Sequence, residues 1–220
     1  MPGWPYTSTE WSLNAWANDP GFGTVVLTDN YSNRQGACVS NLELEVDGLE
    51  VQVTLEAAAT GADGFGIGLV PTADYFGSLG DSCGLRSPTK LGLGLLLQTY
   101  GNTLVYWNNS DDSDSSDNHD TGIDFRTLSD YRVTFTKPTG TTLSAHFEKL
   151  TGTTVDVTYT FPGAVSFSTA HLAITAGTGG LSAVHYLHDV VVTEPPPPAV
   201  LRPHMNVRLN QKMAGFRSRW

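Results

Sequence analysis

A turn joins two alternating runs of residues in the stretch Leu42-Glu-Leu-Glu-Val-Asp-Gly-Leu-Glu-Val-Gln-Val-Thr-Leu55. In both runs an apolar residue occupies every second position, which is the period of a strand with one buried face. Asp47-Gly48 between the runs is a typical two-residue hairpin turn. The stretch therefore predicts two antiparallel strands. The buried face of the second strand carries Leu49, Val51, Val53 and Leu55.

Similar runs separated by turn residues recur along most of the 220-residue chain. They cover residues 24–28, 131–136, 142–147, 154–159, 171–175 and 185–192. Phe65-Gly-Ile-Gly-Leu-Val70 and Leu91-Gly-Leu-Gly-Leu-Leu-Leu97 are apolar on both faces, and their glycines predict close approach of another backbone. No comparable run has a 3.6-residue period with capping residues. The fold class is therefore predicted to be all-β, an antiparallel β-sandwich or jelly roll.

Charge is distributed unevenly along the chain. All 22 acidic residues and 7 of the 12 basic residues lie in residues 1–194, which gives that part a net charge of −15. A body with this charge disfavours nucleic acid and anionic membranes as partners. No stretch reaches the roughly 18–20 apolar residues that span a bilayer, and Met1-Pro-Gly-Trp-Pro-Tyr6 lacks the features of a signal peptide. We therefore expect a protein without a membrane-inserted segment.

Two cysteines, Cys38 and Cys83, are too few for a disulfide scaffold. They form either one bridge or two buried thiols. Because no export signal is evident, two thiols are favoured.

Residues 1–21 are predicted to form an aromatic N-terminal arm ahead of the sandwich domain, which is predicted to cover residues 22–194. The arm contains Trp4, Tyr6, Trp11 and Trp16. These side chains either anchor the arm on a neighbouring molecule or close one end of the sandwich.

A proline run, Pro195–Pro198, forms a stiff spacer after the domain. Residues 199–220 follow as a basic and apolar tail without acidic residues. The residues expected to act as an anchor are Arg202, Arg208, Lys212, Phe216, Arg217, Arg219 and Trp220. Such a tail either contacts nucleic acid through phosphate pairing and stacking or docks on a protein assembly. The negative charge of residues 1–194 favours docking on a protein assembly over contact with nucleic acid.

Six short motifs occur in order between residues 22 and 193. They are Leu27-Thr28 with Gly36-Ala37, Gly61-Ala-Asp-Gly-Phe-Gly-Ile67, Cys83-Gly-Leu85, Leu95-Leu-Leu-Gln-Thr-Tyr-Gly-Asn102, His119-Asp-Thr-Gly-Ile-Asp124, and Thr175-Ala-Gly-Thr-Gly-Gly-Leu181 with His185. Together they resemble the concanavalin A-like, L-type (legume-type) lectin family. The resemblance implies a jelly-roll β-sandwich and a glycan partner.

The resemblance also implies a set of carbohydrate-binding residues. In the family an Asp accepts hydrogen bonds from sugar hydroxyls, helped by a loop amide, an Asn and an aromatic face. The corresponding positions here are Asp63, the Gly84 backbone and Asn102, with Tyr100, Tyr106 and Trp107 as candidate aromatic faces. Alternatively, Asp63-Gly64 is only a turn between strands.

The metal site that the resemblance implies is incomplete. The family places a Glu and an Asp on one strand where this chain has Leu96 and Gln98. The following loop is rich in carboxylates, which suit Ca²⁺ with its 6–8 oxygen ligands. The candidate metal ligands are Asp114, Asp117, His119 and Asp120. The alternative is a solvated Ser/Asp loop that binds no metal.

A second constellation, Glu45-Val-Asp-Gly-Leu-Glu50, resembles the catalytic strand of laminarinase-like glucanases. A retaining glycosidase needs two carboxyl groups about 5–5.5 Å apart. If Asp47-Gly48 is a turn, Glu45 and Glu50 lie on different strands. Enzyme activity is therefore not expected.

These features together predict a non-catalytic lectin-like module on a larger assembly. Viral and phage particles assemble in the cytoplasm, so their surface proteins need no signal peptide. We therefore expect a virion surface or decoration protein that is anchored by its C-terminal tail and attaches to host glycans. The alternatives are a purely structural capsid or tail decoration protein and a glycoside hydrolase. Fold alone does not decide among these functions.

Overall fold

The computed structural model describes residues 4, 7–21, 23–58, 63–87, 91–99, 103–108, 118–137, 142–160 and 167–194. Their strands are β1 (Trp11–Ala15), β2 (Asn18–Gly21), β3 (Thr24–Thr28), β4 (Gln35–Ser40), β5 (Leu44–Glu45), β6 (Leu49–Ala58), β7 (Gly64–Val70), β8 (Leu93–Gln98), β9 (Thr103–Asn108), β10 (Asn118–Asp120), β11 (Tyr131–Lys137), β12 (Thr142–Lys149), β13 (Thr154–Thr160), β14 (Thr169–Gly177) and β15 (Val184–Thr193). Short 3₁₀ helices cover Gly80–Ser82 and Phe125–Asp130. None of the helices in the described ranges is long and apolar enough to cross a membrane.

The strands form two antiparallel sheets. The front sheet has the order β1-β4-β14-β7-β8-β9-β10, with β5 also paired to β14. The back sheet has the order β13-β12-β11-β6-β15-β3-β2. Strands that are neighbours in a sheet are often distant in sequence, as in a jelly roll. The all-β sandwich predicted from the period-two runs is confirmed.

The main core lies between the two sheets. Alternate residues of β6 point into it, and Leu49, Val51, Val53 and Leu55 are all buried. The facing strands of the front sheet contribute Phe65, Ile67 and Leu69 from β7 and Leu93, Leu95 and Leu97 from β8. The alternation seen in the sequence is thus the alternation between this core and the outer face of each sheet.

Asp47-Gly48 does not form the predicted hairpin. Strand β5 pairs with β14 in the front sheet, whereas β6 pairs with β11 and β15 in the back sheet. The turn therefore carries the chain across the sandwich, and Gly48 has a φ of +85° that suits glycine. The turn was predicted correctly, but the pairing of the two strands with each other was wrong. β5 and β6 bury their apolar faces equally well when they lie in opposite sheets.

The second half of the expected N-terminal arm belongs to the sandwich. Strand β1 pairs with β4 at the edge of the front sheet, and β2 pairs with β3 at the edge of the back sheet. Trp11 is 1% exposed, and Trp4 packs edge-to-face against it with 6.2 Å between ring centroids. Trp4 and Trp11 therefore pack on the core, whereas Tyr6 lies outside the described residues.

A second apolar cluster lies on the outer face of the front sheet. The segment 75–87 folds back over β7 and β8, where Tyr75 Oη donates to Leu85 O (2.8 Å) and Thr175 Oγ1 donates to Cys83 O (2.8 Å). A Cβ at Gly66 would lie 2.5 Å from Leu85 Cβ. The glycines of the front sheet do allow a close approach, but at Gly66 the approaching group is the Leu85 side chain and not the backbone that was predicted.

Both cysteines are buried thiols, and neither forms a disulfide bond. Cys38 lies in the core between the sheets, and Cys83 lies in the cluster on the outer face of the front sheet. The front sheet therefore separates the two sulfur atoms. Desolvation raises the pKa of the Cys38 thiol, which keeps it protonated. The two thiols that the sequence favoured are confirmed.

Candidate functional site

Several strand ends and loops meet at one end of the front sheet, here called the Asp63 end. Asp63 immediately precedes β7, Thr99 immediately follows β8, and the loop 178–183 follows β14. The first residue of β7, Gly64, is the register partner of both Gln98 and Gly177. This pairing brings three segments that are distant in sequence to the same edge.

Asp63 is held in place by its neighbours on both sides. Its carbonyl oxygen accepts hydrogen bonds from Thr99 N (3.0 Å) and Cys83 Sγ (3.5 Å). A Cβ at Gly179 would lie 2.6 Å from Asp63 Oδ2. The loop 178–183 therefore packs directly against the carboxylate and leaves no room for a side chain at this position.

The loop 178–183 is in turn attached to the segment between β3 and β4. Thr178 N donates to Arg34 O (2.7 Å), and Arg34 N donates to Thr178 Oγ1 (2.8 Å). Asn33 N donates to Gly179 O (2.9 Å). These bonds fix the loop against the segment between β3 and β4.

His185 supports the other end of the same loop from inside the core. Thr28 Oγ1 donates to Ala183 O (3.2 Å) and lies 2.6 Å from His185 Nδ1. A carbonyl can only accept, so the single hydroxyl proton of Thr28 goes to Ala183 and the protonated Nδ1 of His185 donates to Thr28. Burial lowers the pKa of His185 to about 3, so the ring is neutral. The histidine of the sequence motif is therefore a structural residue.

Gly84 does not offer its amide to a ligand, contrary to the expectation for a carbohydrate-binding residue. Its N–H donates to Ser78 O (3.1 Å), and its carbonyl accepts from Gly77 N (2.6 Å). Gly84 has a φ of +72°, and a Cβ there would lie 2.5 Å from Ala176 O. Glycine is needed at this position for the loop to lie close to β14.

Trp107 cannot provide the predicted aromatic face for a sugar. Both Trp107 and Tyr106 are 0% exposed. Trp107 belongs to the cluster on the outer face of the front sheet, where its ring centroid is 6.3 Å from that of Tyr75. The segment 75–87 covers this face and removes the ring from solvent. Tyr100 and Asn102 lie outside the described residues.

Two exposed aromatic side chains that were not predicted as binding residues lie beside the loop 178–183. Trp16 is 49% exposed and Tyr31 is 63% exposed. Thr178 Oγ1 is 2.9 Å from Tyr31 O, so Tyr31 adjoins the loop directly. Sequence reasoning noted Trp16 as one of the N-terminal aromatics, but no local pattern relates Trp16 or Tyr31 to Asp63.

The residues of β8 do not fit the two-metal arrangement of the lectin family. Leu96 is 0% exposed and packs with Val105 and Trp107, so an apolar cluster takes the position of a carboxylate ligand. Gln98 replaces the second carboxylate. In the part of the chain that is described, no group of three or more His, Cys, Asp or Glu side chains is suited to a metal ion.

The candidate ligands in the acidic loop are only partly described. Asp114 and Asp117 lie outside the described residues. The backbone of His119 and Asp120 forms β10, paired with Leu104 and Thr103 of β9. A Ca²⁺ site in this loop thus stays a prediction.

The glucanase-like constellation is divided between the sheets. Glu45 lies on β5 of the front sheet, and Glu50 lies on β6 of the back sheet. Asp47 Oδ1 lies 2.5 Å from the Nζ of Lys137, a residue that is almost entirely buried. The three carboxylates therefore do not share one strand, which is the arrangement that the resemblance requires.

Two antiparallel sheets with this strand order form a β-sandwich of the jelly-roll type. Comparison with solved structures shows that the protein has the concanavalin A-like lectin fold. Metal-free lectin I-B4 from Griffonia simplicifolia matches 89% of this chain and 98% of its own, with a TM-score of 0.69 and 12% identity.

Two further structures extend the comparison. The exoplasmic/lumenal domain of VIP36, solved with Ca²⁺ and Man3GlcNAc, matches 87% of this chain and 86% of its own (TM-score 0.69, 16% identity). Basic winged bean lectin, solved with Tn-antigen, matches 89% and 98% (TM-score 0.70, 11% identity). The sequence itself matches no family model and no curated protein. At these identities the similarity establishes the fold.

Proposed function

We infer that the protein is a non-catalytic carbohydrate-binding module and that Asp63 is its central binding residue. The observation that carries this proposal is the packing of the loop 178–183 against the Asp63 carboxylate, which holds an anionic acceptor in one position at the end of the front sheet. Sugar hydroxyls are hydrogen-bond donors, and a fixed carboxylate accepts two of them at once. The glycan ligands of VIP36 and winged bean lectin, which share the fold, support the same proposal.

We further propose that the module is displayed on a larger particle, as a virion surface or decoration protein, through residues 199–220. The positions of the chain along β6 support this orientation. Thr193 pairs with Glu50 near the start of β6, and Val184 pairs with Ala58 at its end, close to Asp63. Ten strand residues span about 30 Å. The chain thus leaves the sandwich at the end opposite Asp63, so an anchored tail leaves the binding loops facing outward.

The test of glycan binding is an array of immobilised glycans probed with the full-length chain and with Asp63→Asn. We expect a specific signal from the wild-type chain and its loss in the variant, because Asn has a similar shape but lacks the anionic acceptor. Since β8 carries Leu96 and Gln98, we expect the signal to survive EDTA. Loss of signal in EDTA alone would contradict this and indicate Ca²⁺ bound by Asp114, Asp117, His119 or Asp120. An Asp63→Asn variant that binds glycans as strongly as the wild type would exclude Asp63 as the central binding residue.

The anchor is tested by density-gradient fractionation of the native source. One sample carries the full chain, and the other carries a chain that lacks residues 199–220. We expect the full chain to cofractionate with nucleic-acid-containing particles and the truncated chain to stay in the soluble fractions. Circular dichroism of the truncated chain checks that the sandwich remains folded. Particle association without the tail would refute the anchor.

The second candidate function is a structural decoration protein without sugar binding. Three observations favour it: the Gly84 amide is already bonded, Trp107 is buried, and Leu96 replaces a metal ligand with an apolar contact. In that case the lectin architecture serves only as a rigid part of the particle. A folded chain that is silent on the array but associates with particles would establish this function.

A further inference from the structure

An exposed aromatic surface adjoins the Asp63 end, and we call Trp16, Tyr31 and Arg34 the aromatic ledge. The guanidinium carbon of Arg34 lies 3.5 Å from the centroid of the Trp16 ring and 5.4 Å from that of Tyr31. Arg34 Nε also lies 3.4 Å from Asp29 Oδ1. The cation thus binds both rings and is itself neutralised by Asp29. The rings remain about half or more exposed despite these contacts.

Residues with a positive φ lie on both sides of the ledge. Ala15, just before Trp16, has a φ of +58°, and Asn33, just before Arg34, has a φ of +54°. Within the described ranges the third non-glycine residue with a positive φ is Cys83, whose Sγ donates to Asp63 O. Residues in this region of φ/ψ space concentrate at ligand sites, where the surrounding structure enforces them. All three here flank the ledge or contact Asp63.

The ledge is connected to Asp63 by direct contacts through one loop. Gly179 packs on the Asp63 carboxylate, and its carbonyl accepts from Asn33 N (2.9 Å). Trp16 N donates to Gln35 O (3.0 Å), which brings the turn after β1 against the same segment. Tyr31 and Arg34 lie within two residues of Asn33 in the chain, and consecutive Cα atoms are about 3.8 Å apart. Asp63 and the ledge thus adjoin the same loop, Asp63 at Gly179 and Tyr31 at Thr178.

The aromatic rings and the neutral ion pair of the ledge are suited to bind an uncharged sugar ring. Exposed aromatic rings bind the apolar C–H face of a pyranose, and the polar residues around them bind its hydroxyls. Asp29 and Arg34 form a neutral pair, and residues 1–194 carry a net charge of −15 that repels anionic glycans.

We propose that the aromatic ledge is an oligosaccharide subsite, which binds the second residue of a neutral glycan whose first residue contacts Asp63. This subsite rests on the proposed glycan binding at Asp63. It gives the protein a preference for oligosaccharides over monosaccharides.

The test is calorimetric titration of the full chain with three matched pairs of probes. The pairs are methyl α-mannoside with mannotriose, galactose with lactose, and N-acetylglucosamine with N,N′-diacetylchitobiose. For any pair that binds, we expect the oligosaccharide to bind about tenfold more tightly than the monosaccharide. Trp16→Ala and Tyr31→Ala are expected to abolish this difference while leaving monosaccharide affinity unchanged. Phe76→Ala is the matched control, because Phe76 is an exposed aromatic residue outside the ledge that lines a surface pocket with Pro71 and Leu91.

The outcomes separate the ledge from the Asp63 site. The proposed ledge subsite is refuted if both members of a binding pair have equal affinity. It is also refuted if the oligosaccharide preference survives in both ledge variants. Neither result bears on the Asp63 site. An Asp63→Asn chain that loses the monosaccharide as well supports the primary site. If neither member of any pair binds to the wild-type chain, the proposed glycan binding fails, and the ledge fails with it. Thermal unfolding of each variant shows whether Trp16→Ala preserves the fold, and the more exposed Tyr31→Ala provides the second variant.

Discussion

Replacing Gly66 by Ala is expected to lower the free energy of unfolding by about 3 kcal/mol. The new methyl carbon would lie 2.5 Å from Leu85 Cβ and 2.5 Å from Thr175 Oγ1. Neither group moves freely: Leu85 Cβ is fixed by its own backbone, and Thr175 Oγ1 donates to Cys83 O (2.8 Å). The substitution therefore displaces the segment 75–87 from the outer face of the front sheet. Chemical denaturation with the midpoint and slope fitted together measures the loss.

Gly180→Ala is the matched control for this substitution. Apart from its two chain neighbours, no atom of the described residues lies within 4 Å of a Cβ at Gly180, so the same chemical change is expected to alter the unfolding free energy by less than about 0.5 kcal/mol. For a chain of this size the Gly66→Ala change corresponds to a fall in Tm of about 6–12 °C. A Gly66→Ala protein as stable as Gly180→Ala would mean that Leu85 does not pack on β7 as described.

The fold was predictable because its main determinant is local. Alternation along β6 needs only one apolar face, and that face is visible in a short stretch of sequence. Strand partners are not local, and this explains the error at Asp47-Gly48. A turn sequence specifies that the chain reverses, but β5 and β6 bury their apolar residues in the same core from opposite sheets.

The candidate site was predictable only where a motif marks it. Asp63 was identified by resemblance, and the structure does bring it together with the loop 178–183. Trp107 was predicted from the resemblance to provide an aromatic face for a sugar, and sequence alone does not reveal that the segment 75–87 covers the face of the front sheet on which Trp107 lies. Trp16 and Tyr31 come near Asp63 only through the loop after β14, a contact between segments more than 100 residues apart in sequence.

Replacing Gly179 by Ala is expected to weaken glycan binding at least about tenfold while changing stability by about 1 kcal/mol or less. A methyl group here would lie 2.6 Å from Asp63 Oδ2, and the short Asp side chain can relieve this contact only by turning away. Charge-assisted hydrogen bonds from sugar hydroxyls depend on the carboxylate position, so a displaced carboxylate loses them. Titration of a sugar that binds the wild-type chain, together with thermal unfolding of the same sample, measures both effects.

Gly180→Ala again provides the control, now at the neighbouring position of the same loop. It adds the same methyl group without touching Asp63, so sugar affinity should remain at the wild-type level. The Asp63→Asn chain provides the second comparison, because adding Gly179→Ala to it should cause little further loss if both changes act through the carboxylate. Wild-type affinity in Gly179→Ala would show that the position of the Asp63 carboxylate does not matter for binding. Equal losses in Gly179→Ala and Gly180→Ala would instead assign the effect to the loop as a whole, since only one of the two methyl groups reaches Asp63.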